Sequence, residues 1–268
     1  MRKNRIFWAA VLVCAGFLLL ANNLGILNIN IWRLFWPSVL VLLGIWFLVG
    51  TMSGTSDFVM EEGSVDLDDA ESASVTIKYG AGRLDLDASA EEGKLVSGTF
   101  ANGLDAQVKK SGKALDVVLQ PPGQVFPDVF FPGNWVGGKG LHWDFGLSKQ
   151  IPLSLVFETG AAETHLDFSD LLVKELVLKT GASSTEVKLP SKAGTTYFKV
   201  EAGAASLVIQ VPDGVSARVD CESGLASVSV DQKRFPKQNG IYQSADYESA
   251  ENKVDIRIET GVASIEIR

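Results

Sequence analysis

The chain has 268 residues, 24 of them basic and 32 acidic, for a net charge of −8 at pH 7. That charge is split: residues 1–52 hold no Asp or Glu and only Arg2, Lys3, Arg5 and Arg33 as basic residues, so the other 216 carry a net of −12. An acidic body repels phosphate, which excludes a nucleic-acid partner, and two cysteines as far apart as Cys14 and Cys221 exclude a disulfide-stapled fold.

The first predicted elements are two apolar helices. Residues 6–21 and 34–52 are uncharged, and roughly 20 residues of helix cross a hydrocarbon core of about 30 Å. Trp8, Trp32 and Trp36 sit near the ends of the runs, where indole rings favour the headgroup layer. Pro37 falls in the first turn of the second run, where its missing N–H costs little. A cleaved signal peptide is not expected, because no clean small-x-small site follows the first run and Leu12 and Val13 precede Cys14. Three basic residues precede the first run, one lies between the runs, and the next is Lys78. Basic residues stay on the cytoplasmic side, so the N-terminus and the acidic body are both expected inside, with the connector outside.

Residues 53–73, SGTSDFVMEEGSVDLDDAESA, read as an acidic flexible linker. The spacing of their carboxylates lacks the alternation and closing Glu of an EF-hand loop, so no calcium site is expected.

From 74 to 268 a repeat dominates. Its glycines are Gly160, Gly181, Gly203, Gly224 and Gly261, spaced by 21, 22, 21 and 37 residues, with an earlier copy at Gly80. Each copy runs apolar-x-apolar, polar, Gly, small, small, polar, apolar-x-apolar. Phe157, Leu166, Phe168, Val200, Leu207, Ile209 and Val211 are the apolar positions of two copies. Alternation means one buried face and one wet face. The glycine is expected either at positive φ or where backbones approach closely, with the small pair after it at a crowded corner. A two-strand unit is marginal alone, so copies at this period must stack. The fold class expected is a transmembrane α-hairpin (1–52) followed by an all-β domain of stacked repeats, a β-solenoid or two-sheet β-sandwich, with insertions near 121–146 and 231–246 and no substantial helix.

Candidate site residues are few. The 121–146 insertion, PPGQVFPDVFFPGNWVGGKGLHWDFG, packs Phe126, Phe130, Phe131, Trp135, Trp143 and Phe145 among Pro and Gly. Two readings stay open: a loop folded back to cap the stack, or an exposed aromatic patch that docks a partner or touches the bilayer. His142 and His165 are the only histidines. His165 reads as an exposed strand residue at the place held by Ser206 and Ser227 in other copies. A metal site would need more converging ligands, and no nucleophile elbow, P-loop or dinucleotide fingerprint appears. No catalytic, cofactor or metal site is expected.

The head, GFLLLANNLGILNINIWRLFWPSVLVLLGIWFLVG, resembles the LiaI/LiaF-like transmembrane region of bacterial envelope-stress proteins through Gly16, Asn23, Leu24, Gly25, Trp36, Pro37 and Gly44. Over about residues 72–268 the body resembles the toastrack domain, an adhesin-like domain related to the C-terminal part of LiaF. The match is carried by Trp143, Asp144, Leu147, Ile151, Pro152 and the Thr-Gly-Ala steps. Such relatives usually have more membrane spans than two. The resemblance implies a non-catalytic scaffold or regulator in the bacterial cytoplasmic membrane, presenting its β domain to a sensor kinase or another envelope-stress membrane protein. Self-association is left open. The alternative is an extracellular adhesin or envelope structural protein with the β domain outside.

Overall fold

The computed structural model describes residues 59–123 and 141–268, together with 36, 37, 39–41, 44 and 45. The chain divides into two units, Met1–Ser53 and Gly54–Arg268. In the first, the described residues are helical, and Trp36, Leu40, Val41 and Ile45 are exposed. Among the described residues no helix is long and apolar enough to cross a membrane. The first uncharged run and most of the second lie outside them.

The second unit is built of strands: β1 (Met60–Asp66), β2 (Ser72–Asp87), β3 (Lys94–Ala101), β4 (Asp105–Ser111), β5 (Ala114–Gln120), β6 (His142–Leu147), β7 (Leu153–Asp167), β8 (Val173–Lys188), β9 (Thr195–Gln210), β10 (Ser216–Val230), β11 (Lys237–Gln238), β12 (Ile241–Gln243) and β13 (Lys253–Ile267). No helix occurs among its described residues. Six of the strands, β2, β7, β8, β9, β10 and β13, carry the glycine step, and they pair in parallel and in register.

Parallel neighbours this long cannot be straight. A strand of 15 residues spans about 50 Å, yet only residues 168–172 separate β7 from β8 and 211–215 separate β9 from β10, and five residues reach about 17 Å at most. Each strand therefore turns a corner, so that its start and end lie close together. Burial shows where. In β8, Leu176, Leu178 and Thr180 are buried before the step, and Thr185 and Val187 after it. Even positions give way to odd ones. A straight strand would put these two sets on opposite faces, but one continuous core holds Leu176, Leu178 and Val187 together. The step is the corner, and the two limbs fold toward each other. Phe157 of the first limb of β7 and Phe168, directly after its second limb, meet with ring centroids 6.1 Å apart.

The apolar positions read from the repeat (Phe157, Leu166, Phe168, Val200, Leu207, Ile209 and Val211) are all buried, each contributing roughly 1.5–3 kcal/mol. Pro152, Pro190 and Pro212 fall in the turns between strands, where a missing donor is tolerated.

The order across the sheet is β1-β3-β6-β2-β7-β8-β9-β13-β10-β12-β11, with β4 and β5 hairpinned against the first limb of β2. The copies thus do not stack in sequence order: β13 lies between β9 and β10. The insertion at 231–246 holds β11 and β12, and β12 pairs with Arg218 and Val219 of β10. Two expectations change. The stretch 53–73 is not linker throughout, because Met60–Asp66 pairs antiparallel with β3. The 121–146 insertion ends in a strand, because β6 pairs with both β3 and β2.

Candidate functional site

The repeat-turn glycines form a line through the stack in the order Gly80, Gly160, Gly181, Gly203, Gly261 and Gly224. None has positive φ; close approach is the reason for glycine. A Cβ on Gly160 would lie 2.4 Å from the Gly80 carbonyl oxygen, and one on Gly181, Gly203, Gly261 or Gly224 would lie 2.8–2.9 Å from the carbonyl oxygen of the glycine before it in the line. Crowding runs along the stack axis only. Ala161, Ala182 and Ala204, directly after the glycines, are exposed. At the far end, level with them, stand Val262, 57% exposed, and Leu225, 76% exposed.

Beside this corner lies a groove of about 910 Å³, lined by Tyr79, Glu158, Thr159, Lys179, Thr180 and Glu201 together with Pro121 and Leu141. Thr159 and Thr180 are level on β7 and β8, and their hydroxyls are buried without a hydrogen-bond partner. The residues before them form a charged row in register: Lys78, Glu158, Lys179, Glu201 and Glu259. Lys78 pairs with Glu158 at 3.8 Å, and Lys199 bridges Glu201 at 2.6 Å and Glu259 at 3.6 Å.

On the outer face of the second limbs, β6, β2 and β7 bring two imidazoles to one carboxylate. Asp85 Oδ2 lies 2.7 Å from His142 Nε2 and accepts from Arg83 Nε at 2.8 Å, and Asp85 Oδ1 lies 3.1 Å from His165 Nδ1. Glu163 and Asp144 stand nearby in the same registers. Burial pushes the Asp85 carboxyl up, but the hydrogen bonds from Arg83 and His142 outweigh it and hold the group below the ordinary aspartate value. The His142 contact ties β6 to β2, while His165 Nδ1, which makes no hydrogen bond, stands against the same carboxylate from β7. Among the described residues no three His, Cys, Asp or Glu side chains are disposed to hold a metal ion. His165 is half-exposed but is level with Glu186 and Val208 rather than with Ser206, which stands opposite Ser184. Counting from the glycine, the alignment by wording slipped by two residues.

The sequence-predicted aromatic patch divides. Phe126, Phe130, Phe131 and Trp135 lie outside the described residues. Trp143 and Phe145 point inward from β6, 0% and 2% exposed. Trp143 packs 5.0 Å from Phe100 edge-on and 5.1 Å from Tyr79, and Phe100 stacks on Phe145 at 5.5 Å. The alternation His142-Trp143-Asp144-Phe145, a half-buried strand pattern, was the signal that separates these two from the Pro- and Gly-rich stretch before them. Tyr79 closes this cluster: its hydroxyl donates to the Leu141 carbonyl at 2.5 Å. Gly82 lies under that contact at φ +129°, where a Cβ would meet the Leu141 oxygen at 2.1 Å and the Tyr79 hydroxyl at 2.5 Å.

Comparison with known proteins matches these features. Residues 6–48 match the LiaI-LiaF-like transmembrane region, and residues 54–211 match the N-terminal domain of toast_rack, DUF2154. Both are non-enzymatic kinds of family. The fold is similar to the crystal structure of a "putative cell adhesion protein" from Clostridium sporogenes, at 22% identity and a TM-score of 0.69, covering 78% of this chain and 98% of that one. A "putative adhesin" from Bacteroides fragilis aligns at 5% identity and a TM-score of only 0.26, over 80% of this chain and 98% of that one. None of the curated proteins matches the chain. With its glycine-cornered parallel stack, and with the domain match spanning more than half its length, the chain belongs to the toast_rack N-terminal domain family.

Proposed function

We propose that the protein is a two-span, membrane-anchored, non-catalytic scaffold that presents its β stack at the cytoplasmic face, in cell-envelope stress signalling. The observation that carries this reading is the joining, in one chain, of a LiaI-LiaF-like transmembrane match ending at residue 48 to a toast_rack match beginning at 54. The first strand starts at Met60, 12 residues along the chain from the end of the transmembrane match at 48. Exposed apolar side chains at Leu40, Val41 and Ile45 suit a helix whose solvent is lipid. Orientation rests on Arg2, Lys3 and Arg5 ahead of the first uncharged run. A long parallel stack with a charged, grooved face suits recognition of another protein, such as a sensor kinase or another envelope-stress membrane protein.

A second reading places the stack outside as an adhesin or envelope structural domain, and the similarity to a protein described as a cell adhesion protein favours it. Topology decides. Reporters active on only one side of the membrane, fused after Arg268, report a cytoplasmic C-terminus under the first reading. An outward C-terminus, with the stack cleaved by protease added to intact spheroplasts, overturns it in favour of the second.

A further inference from the structure

Among the described residues one long strand edge is left open. β10 pairs with β13 from Ser216 to Val230, but on its other side β12 covers only Arg218 and Val219. Among the described residues, nothing bonds to the outer backbone groups of its second limb, Leu225–Val230. Which groups these are follows from the ladder. The Asp231 N–H donates to the Ile267 carbonyl at 3.0 Å, and residues of a parallel strand alternate sides. Leu225, Ser227 and Ser229 therefore bond to β13, while Ala226, Val228 and Val230 turn their N–H and C=O outward. The core also runs out here. Ala263, Ile265 and Ile267 of β13 are buried, whereas the residues level with them, Ala226, Val228 and Val230, are only half-buried.

Open edges template pairing with another chain, and proteins guard them with charge, irregularity or brevity. The other edges here are guarded. β1 carries Glu61 and Glu62 and a register shift at Val65/Asp66. β4 carries Lys109 and Lys110, and β11 and β12 have two and three residues. The limb Gly224–Val230, GLASVSV, has no charge, no proline and no register shift.

We infer that this limb is a self-association edge, pairing antiparallel with the same limb of a second copy about a two-fold axis near Ser227. The backbone demands an extended strand as occupant, and charge selects the copy: Asp220 and Glu222 precede the limb, while Asp231, Lys233 and Arg234, together net positive, follow it. Antiparallel pairing brings the acidic end of one limb beside the basic end of the other. It also closes, where parallel addition would leave a fresh edge and grow without limit. The registers agree as well. With the axis at Ser227, the outward-bonding Ala226 and Val228 face each other across it, and Ser227 meets its own copy as a non-hydrogen-bonded pair, with Cα atoms about 4.5 Å apart. The inference is independent of the membrane reading.

Two variants of the full chain in detergent test it. Val228→Pro removes an outward donor without touching the β13 ladder and should weaken dimerisation at least about tenfold, read by analytical ultracentrifugation. Ser227→Cys, in a background with Cys14 and Cys221 changed to Ser, should form a disulfide-linked dimer on mild oxidation, since that Cα separation accepts a disulfide. A wild-type chain that stays monomeric, a dimer that survives Val228→Pro, or a Ser227→Cys chain that fails to crosslink overturns the proposal. So does a Ser227→Cys chain that captures a different protein in cells, which would assign the edge to a partner strand. If Val228→Pro fails to fold, the crosslink alone decides.

Discussion

Gly160 faces the Gly80 carbonyl oxygen so closely that a Cβ would sit 2.4 Å from it, while no described residue lies within 4 Å of the space a Cβ would take on Gly80 itself. The two glycines are level on adjacent strands, yet only one is required by contact. Gly160→Ala should cost about 2–3 kcal/mol through backbone displacement. Gly181→Ala, with 2.9 Å to the next oxygen, should cost less, and Gly80→Ala least. Thermal melts that rank Gly80→Ala as the worst of the three would contradict the stacking account.

Trp143 is the largest side chain of the aromatic cluster and is fully buried. Its replacement by alanine should destabilise the stack by about 3–5 kcal/mol, measured by denaturant unfolding. Replacing Phe130, Phe131 and Trp135 together separates the two readings of the aromatic stretch: a retained melting temperature with lost capture of a partner in cells supports docking, and a collapsed one supports capping.

Acid stability should depend on Asp85. Burial raises its folded pKa, and the hydrogen bonds from Arg83 and His142 overcome that and hold it below the ordinary value. A depressed carboxyl contributes stability that is complete above its unfolded pKa of about 4 and is lost as pH falls through the folded one. Asp85→Asn should therefore be less stable than the parent at pH 7, and the gap should narrow toward pH 3. Unfolding curves that keep the same separation across that range would remove Asp85 from the account.

At the other extreme, burial and then the neighbouring Asp255 carboxylate push the Tyr247 phenol up to about 12. The unfolded phenol ionises near 10. A raised folded pKa means stability intact below pH 10 and declining as pH climbs toward 12. Tyr247→Phe should flatten part of that decline in pH-dependent melts. Tyr79 is raised further still by burial, so Tyr79→Phe should remove another share.

Much of the stack was legible in the residues because one repeat imposes one geometry. Phe157, Val200 and Leu207 announced the buried face through alternation, and the spacing of Gly160, Gly181 and Gly203 announced the stacking. What the glycines do was half legible: conformation and close approach both call for glycine, and only the neighbouring strand decides between them. Pairing order was hidden, because β13 carries the same step as β10 and any copy fits beside any other. β1 was hidden for a different reason. Glu61, Glu62 and Asp66 look like solvated linker, and a two-sided edge strand with few apolar residues leaves little alternation to read. The cluster at Asp85 draws on Arg83, His142 and His165, 82 residues from first to last, and no local pattern links them.

The wedging of β13 between β9 and β10 has a consequence for biosynthesis. A solenoid whose rungs follow chain order can zip up as it leaves the ribosome, each new coil docking on the last. Here β10 emerges before its only long neighbour among the described residues exists, and must wait without it until residues 253–267 have been made. A nascent chain stalled between 231 and 252 should resist protease through β9 and lose β10, and release of the remaining residues should protect both at once.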